Sequence, residues 1–312
     1  MKPSKIIIFT VLLLYSIELY SDSSPFDFLR DVESARAAAL AGCFVAMPDD
    51  ASAVFFNPAT VSTVNDKHFS TTFMKHILDI NSGNVSYIHS FEQSGSVAAA
   101  VSFTNYGSFP YADQFGNING SFSANNLLFS GTYSNQLDSN LYYGVSAEFA
   151  FINLEKYNST AFAVSAGLIY LMPEKRTNVG ISVLHAGTQI TTLDGVKESM
   201  PLDIRIGVNH RLRGLPLLIN FSFQHLADQT NNFFDKFLNF SLAGEFYIGK
   251  YVQARLGYNN QVRRLTSPDN NKGLSGFSGG AGIKLKDFNF DYGLAQIGSS
   301  ALLHRFTLGL EF

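Results

Sequence analysis

The chain ends in His304-Arg-Phe-Thr-Leu-Gly-Leu-Glu-Phe312, and no other stretch says more about the fold. In an extended strand this segment presents two different faces, because successive side chains point to opposite sides. One face carries His304, Phe306, Leu308, Leu310 and Phe312, and the other carries Arg305, Thr307, Gly309 and Glu311. An apolar face, a polar face and a terminal aromatic are typical of the closing strand of an outer-membrane barrel. Periodicity alone leaves a half-buried strand of a soluble protein equally open.

The same period of two recurs almost to the front of the chain. It is clear in the segments 141–151, 202–209 and 252–259. Further alternating segments centre near Phe73, Tyr87, Val101, Phe129, Ala166, Ile181, Phe221, Leu242, Ile283 and Phe290. Turn signals lie between them at 93–95, 137–140, 173–175, 213–216, 248–250 and 286–287. The pattern predicts an all-β, antiparallel transmembrane barrel of about fourteen strands, each roughly ten residues long. An even number lets the barrel close without an open edge.

Composition favours a surface that faces lipid. The chain is 46% hydrophobic and 14% aromatic but only 15% charged, whereas a soluble domain usually carries about 25% charge. The net charge of −3 argues against a nucleic-acid partner. The soluble alternative is a large β-sandwich or barrel.

The first residues resemble a secretory leader. Lys2 and Lys5 precede the apolar run 6–15, and a polar stretch begins at Ser21. This arrangement predicts a signal peptide over residues 1–21, too short to be a membrane anchor. The only cysteine, Cys43, cannot form an intramolecular disulfide, and we expect it to be a small buried apolar residue.

The segment 22–65, between the leader and the barrel predicted over 66–312, does not alternate. Its part from Phe28 to Gly42 is rich in alanine and can form one or two helical turns. A short helix is predicted to begin near Asp49 or Asp50 and to end at Asn57-Pro58, because proline disfavours helical geometry in the residue before it. A fourteen-stranded barrel is wide enough to need a plug, and we expect 22–65 to fill its lumen.

Two motifs in this segment are similar to those of a known family. Ala35-Arg-Ala-Ala-Ala-Leu-Ala-Gly42 and Asp49-Asp-Ala-Ser-Ala-Val-Phe-Phe-Asn-Pro-Ala59 resemble the N-terminal hatch of FadL-like outer-membrane barrels, especially the PorV/PorQ family of the type IX secretion system. The residues that the hatch motif singles out are Arg36, Asp49, Asp50, Asn57 and Pro58. Similarity to the PorQ branch continues through 105–107, 112–122, 137–140, 153–157, 187–189, 201–203 and 257–259. It spans essentially the whole mature chain, although Cys43 and Phe44 depart from the family pattern.

The resemblance implies a location and a role. It implies the outer membrane of a Gram-negative, Bacteroidetes-like bacterium, with outer-membrane lipid around the wall. It also implies an accessory role in type IX secretion, in which the barrel holds a surface protein that is PorZ-like and supports export. The alternative is a FadL-like transporter of hydrophobic small molecules. Transport predicts an apolar cavity that reaches an opening in the wall, whereas anchoring predicts a filled lumen and an apolar or aromatic patch on the extracellular rim.

No motif in the sequence predicts catalysis. The seven histidines are scattered, without a pair at metal-ligand spacing. The glycine-rich stretch 276–282 is not followed by a helix that could present amides to a phosphate. A soluble periplasmic enzyme is therefore the weakest function class, and no catalytic residue, metal site or cofactor is predicted.

Two further sets of residues are predicted to matter. The lumen-facing charges are Glu148, Asp203, Arg205, Arg255 and Arg305, because a charge on the lipid face would cost about 2–4 kcal/mol near the midplane. We expect them to pair with each other and with Arg36, Asp49 or Asp50; a polar path or ligand site beside the plug is the alternative. The predicted signal for the barrel-assembly machinery is Phe306, Leu308, Leu310 and Phe312.

Overall fold

A computed structural model of the chain describes residues 24–64, 67–77, 79–91, 94–193, 195–266, 272–298 and 301–312. The predicted leader lies outside the described residues. Fourteen antiparallel strands form one closed barrel in which every strand pairs with its neighbours in sequence and β1 pairs with β14. The predicted fold class is therefore confirmed.

The strands follow the alternating segments of the sequence. Their bounds are β1 (His68–Lys75), β2 (Asn81–Phe91), β3 (Gly95–Ala112), β4 (Ile118–Asp138), β5 (Leu141–Leu154), β6 (Tyr157–Met172), β7 (Thr177–Thr191), β8 (Asp203–Arg211), β9 (Leu217–Phe223), β10 (Phe240–Ile248), β11 (Val252–Asn259), β12 (Phe277–Lys284), β13 (Phe288–Ile297) and β14 (Ala301–Glu311).

Burial alternates along the strands as the pattern requires. In β8 the side chains of Asp203, Arg205 and Asn209 are buried in the lumen, while Ile206 and Val208 are exposed on the outer face. The terminal strand behaves in the same way: Phe306 and Leu308 face outward, and Arg305 and Thr307 face inward. Paired residues on neighbouring strands point to the same side of the sheet. The outward-facing apolar side chains therefore form a continuous exterior around the barrel.

The two ends of the barrel differ in their connections. The start of β1 pairs with the end of β14, His68 with Glu311, so both strand termini lie at one end. That end also holds the short turns after β2, β4, β6, β8, β10 and β12. The opposite end carries the long connections 192–202, 224–239 and 260–276. Since outer-membrane barrels have short periplasmic turns and longer extracellular loops, the end with the termini is assigned to the periplasm.

The height of the wall is uneven, and the sequence-based length of roughly ten residues was wrong for β3–β7, which have 14 to 21 residues. Strands β3 and β4 have 18 and 21 residues, whereas β9 and β10 have 7 and 9. Pairing of β3 with β4 continues beyond the point where their other neighbours end, so these strands grow past the membrane-spanning length. Turn motifs in the sequence do not predict how far the pairing of two strands extends.

Short helices complete the chain: α1 (Ala35–Ala39), α2 (Asn260–Leu265) and 3₁₀ turns at Asp27–Arg30, Ala51–Phe55, Pro58–Thr63, Pro173–Lys175 and Phe233–Leu238. Within the described ranges, the structure has no helix with both the length and the apolar character needed to cross a bilayer. Residues 24–64 lie in the lumen, where α1 packs against β11–β14 and the turn Pro58–Thr63 packs against β3–β6.

Candidate functional site

The lumenal segment 24–64, called the hatch below, crosses the barrel from its extracellular mouth to its periplasmic end. At the mouth Phe26 is fully buried in a cluster with Ile152 and Met200. Arg30 closes this end: its Nη2 donates to Asp228 Oδ1 at 2.8 Å and to the carbonyl of Leu202 at 2.7 Å. Two long extracellular connections are thereby tied to the start of the hatch.

Helix α1 forms where the sequence is rich in alanine because Ser34 caps it: the Ser34 hydroxyl accepts from Ala37 N. Only small residues fit here, since the helix lies against wall positions that are themselves glycine. A Cβ at Gly293 would come within 2.2 Å of the Ala35 carbonyl oxygen, and one at Gly280 within 2.6 Å of Ala39 Cβ. The plug and the wall therefore touch at backbone distance.

The second hatch motif forms two capped turns. Asp50 caps Ala51–Phe55 by accepting from Ser52 N at 2.9 Å, and the turn ends before Pro58. Pro58 then begins Pro58–Thr63, which Asn57 caps by accepting from Ala59 N at 3.0 Å. The amide of Asn57 also donates to Val45 O within the hatch, at 2.8 Å, and to Leu168 O of β6, at 3.0 Å. Asn57 thus caps the turn Pro58–Thr63 and also binds the hatch to strand β6 of the wall.

Arg36 is the centre of a buried charge network. It donates to both carboxylate oxygens of Glu245, at 2.9 and 2.7 Å, and through Nη1 to Asp50 at 3.0 Å. Arg255 of β11 donates to the same Glu245 at 2.6 Å and to Asp291 at 2.5 Å. These carboxylates raise the pKa of Arg36 against the lowering effect of its burial, the largest single influence on it. The network ties the hatch to β10 and β11.

Three other predicted lumenal charges, Asp203, Arg205 and Glu148, have partners within the wall. Arg205 Nε donates to Asp203 at 2.6 Å, and its guanidinium lies 5.4 Å from the ring centroid of hatch residue Phe56. Glu148 accepts from the Ser165 hydroxyl at 2.7 Å and lies 2.8 Å from His185 Nδ1. Asp49, in contrast, has no ion-pair partner within 4.0 Å in the described part of the chain; its backbone N–H donates to Thr63.

Arg305 of the wall and Glu33 of the hatch each make a further contact between the hatch and the wall. Arg305 Nε donates to the carbonyl of Val32 at 3.1 Å. Glu33 accepts from Asn84 of β2 at 2.8 Å and from Ser102 of β3 at 3.0 Å. Burial, followed by the charge of Asp31, raises the pKa of Glu33 to about 7. This carboxyl is therefore easily protonated inside the lumen.

The sequence reasoning missed several members of these networks. Glu245 and Asp291 occupy inward positions of β10 and β13, so the same parity that selected Arg255 could have found them. His185 sits at a bulge with φ of 59°, where parity breaks down. Glu33 lies in the hatch, whose sequence does not alternate, so the sequence does not show which hatch side chains point toward the wall. Among the described residues, no group of three or more His, Cys, Asp or Glu side chains could hold a metal ion.

The part of the barrel that the structure describes keeps several cavities inside the wall. A polar vestibule of about 430 Å³ opens under the hatch at the periplasmic end, and its lining includes Arg36, Asp50, Arg211, Lys284 and Glu311. A much smaller space of about 100 Å³ lies between the hatch and β11–β14.

The β3–β4 hairpin extends beyond the rest of the rim. β2 pairs with β3 only as far as Asn105, and β5 pairs with β4 only from Ala124. Within the described chain, the part between 106 and 122 is therefore two-stranded, with a free edge on each side. A bulge between Asn105 and Ser108 reverses the parity of β3.

The reversed parity brings large aromatic side chains together on the hairpin. Phe122 stacks on Phe109 at 5.3 Å and packs against Tyr111 at 5.1 Å between ring centroids. At the tip Phe115 is 80% exposed and Ile118 is 71% exposed. Exposed apolar side chains in a group of this kind mark an interaction surface.

No family model matches the chain, and no curated protein matches it. Solved structures do. The toluene transporter TbuX of Ralstonia pickettii is 13% identical with a TM-score of 0.57, covering 91% of this chain and 100% of that one. The toluene transporter TodX of Pseudomonas putida is 11% identical with a TM-score of 0.56, covering 89% and 97%. A FadL homologue of Pseudomonas aeruginosa is 11% identical with a TM-score of 0.53, covering 89% and 98%. At these identities the likeness shows the fold alone, a closed barrel like those of these outer-membrane proteins.

Proposed function

We propose that this barrel is a non-enzymatic accessory of type IX secretion that holds a PorZ-like surface protein at the cell surface. The observation that carries the proposal is the β3–β4 hairpin, which presents stacked aromatics and two unpaired strand edges outside the wall. Free edges accept an added strand from a partner through main-chain hydrogen bonds. An isolated two-stranded hairpin is marginally stable in water, so a partner would stabilise it.

The filled lumen supports holding over transport. The hatch contacts the wall at backbone distance and through the Arg36–Glu245–Arg255 network. A hydrocarbon gains little beside such charged side chains. Anchoring needs no passage, so a rigid plug is compatible with it.

Transport of hydrophobic small molecules is the second candidate. It is favoured by the small lumenal cavity, whose lining includes Val32, Val262 and Leu303. The similar structures TbuX and TodX are toluene transporters, and transport by this chain would require the hatch to move away from β11–β14.

A hairpin variant tests the two candidates. Residues 108–122 are replaced by Asn-Gly, and the point variant Phe115→Ser is made in parallel; Phe73→Ser, on the lipid face of β1, is the matched control for loss of an exposed phenylalanine. We expect the hairpin variants to assemble in the outer membrane but to release the surface protein, measured by immunoblotting of medium and cells. Uptake of radiolabelled toluene and long-chain fatty acid should stay at the wild-type level. Retained surface protein together with lost uptake would establish the transporter instead.

A further inference from the structure

The shorter strands β9–β14, called the low wall, carry an apolar groove on their outer face. Neither proposed function uses this groove. It has a volume of about 630 Å³ and lies across β9–β14 on the side that faces lipid. Its apolar lining consists mainly of Ile219, Leu242, Leu256, Leu274, Leu294 and Leu302. Most of these residues lie toward the extracellular ends of their strands, so the groove is at the level of the outer leaflet.

Two outward-facing glycines form the floor of the groove. A Cβ on Gly279 would meet only the Arg255 carbonyl and Leu256 Cδ2, both at an ordinary 3.5 Å. A Cβ on Gly244 would meet Leu217 at 3.3 Å. Neither glycine has a positive φ. The fold therefore does not require glycine at these positions, and the missing side chains leave space on a surface otherwise filled by leucine.

The groove is continuous with the aromatic belt at its upper end. Phe277 and Tyr258 line it, with ring centroids 5.0 Å apart, and the series continues from Tyr258 to Phe240 at 6.4 Å. Belts of this kind sit at the level of the lipid headgroups. An occupant whose chain fills the groove would therefore place its headgroup beside the extracellular loops.

A basic helix is attached to the loop that lines the groove: Arg263 Nη1 donates to the carbonyls of Gly273, at 2.8 Å, and Ser275, at 3.3 Å, on either side of the lining residue Leu274. Helix α2 starts just after Tyr258 and carries Arg263 and Arg264 in its last turn. The side chain of Arg264 is exposed. Arginine binds phosphate through a planar set of donors, which suits a phosphorylated headgroup.

We propose that this groove binds one acyl chain of lipid A, the phosphorylated glycolipid of the outer leaflet, with a lipid A phosphate beside Arg264. The groove lies on the face of the wall that contacts lipid, where acyl chains are the apolar neighbours. Gly244 and Gly279 supply the depth, the leucines supply apolar contact, and α2 supplies the positive charge. The bound lipid would be a fixed part of the low wall, independent of what the barrel holds or transports.

The test fills the groove without disturbing the backbone. Gly279→Leu and Gly244→Leu each place a side chain in the groove, and Gly131→Leu is the matched control. Gly131 faces lipid on β4, and a Cβ there meets nothing within 4 Å. The full barrels are purified from outer membranes in mild detergent, and their folding is checked by heat-modifiable migration on gels. Native mass spectrometry then gives the amount of lipid A that stays bound.

We expect one lipid A per wild-type and Gly131→Leu barrel, and at least a tenfold loss in the two groove variants. Arg264→Gln should weaken retention by a smaller factor, because the acyl contacts remain. Equal retention by wild-type protein and both groove variants would overturn the proposal. So would retention of phospholipid in place of lipid A, or no lipid on the folded wild-type barrel.

Discussion

At the scale of single residues, buried ionisable side chains bind the hatch to the wall. Arg36 shares Glu245 with Arg255, so each ion is compensated by hydrogen bonds as well as by charge. Glu33 differs, because its partners Asn84 and Ser102 are neutral and Asp31 is a second acid. Burial, followed by the charge of Asp31, therefore places the pKa of Glu33 near neutral, at about 7.

The raised pKa of Glu33 gives a pH-dependent stability with a defined sign. The folded barrel binds the proton more tightly than the unfolded chain, whose glutamate has the ordinary value of 4.5. The stabilising contribution is fully present below pH 4.5 and is lost as pH rises through about 7. We expect the melting temperature of the purified barrel to fall by a few degrees between pH 5 and pH 8, and Glu33→Gln to reduce that fall. Circular dichroism melts measure it, and an unchanged pH dependence in Glu33→Gln would contradict the assignment.

At the scale of elements, the wall is shaped to receive the backbone of the hatch. Inward glycines lie where the plug comes closest: a Cβ at Gly144 would be 2.3 Å from the Pro58 carbonyl, and one at Gly180 would be 2.2 Å from the Val45 carbonyl. Neither distance is compatible with a side chain. The sequence showed glycines alternating on the polar face but could not show what opposed them.

Gly180→Ala should therefore displace the hatch while leaving the barrel closed. Overpacking of this kind costs about 1–3 kcal/mol, and the strain falls on the hatch near Val45. Cys43, the only cysteine, is buried two residues away and can be labelled with maleimide when the hatch moves. We expect Gly180→Ala to speed labelling several-fold over wild type. Gly131→Ala, on the lipid face, should label at the wild-type rate; equal rates in all three proteins would show that the hatch does not rest on this contact.

At the scale of the whole molecule, the barrel closes by pairing its first strand with its last. β14 pairs with β1 along its length, Phe306 with Phe73, and the N–H of Phe312 donates to the carbonyl of Lys67 at 3.0 Å. The last residue therefore fixes the seam at the periplasmic end. The side chain of Phe312 is 68% exposed, so packing within the barrel explains little of its presence.

We expect Phe312→Ala to reduce the amount of assembled barrel because the terminal aromatic is the predicted signal for the assembly machinery. The measure is the fraction of protein that shows heat-modifiable migration in outer-membrane fractions, and a several-fold decrease is expected. Phe290→Ala removes an equally outward phenylalanine from β13 and should assemble normally. Wild-type levels of assembled Phe312→Ala would count against the signal.

The sequence by itself determined the barrel, its number of strands and, away from the bulges in β3 and β7, the face to which the strand residues point. A period of two is a local property of the backbone, so it can be read without knowing the neighbours: all fourteen alternating segments became strands. The inward charges Glu148, Asp203, Arg205, Arg255 and Arg305 are buried in the lumen for the same reason.

Only the tertiary structure decided what those inward residues meet. The hatch has no period of its own, so the sequence did not show that Arg36 reaches Glu245 or that Glu33 reaches Asn84. It also did not show the height of the β3–β4 hairpin or the depth of the groove at Gly279. These features come from contacts between distant segments, where register, curvature and the path of the plug are set by the packing of the whole barrel.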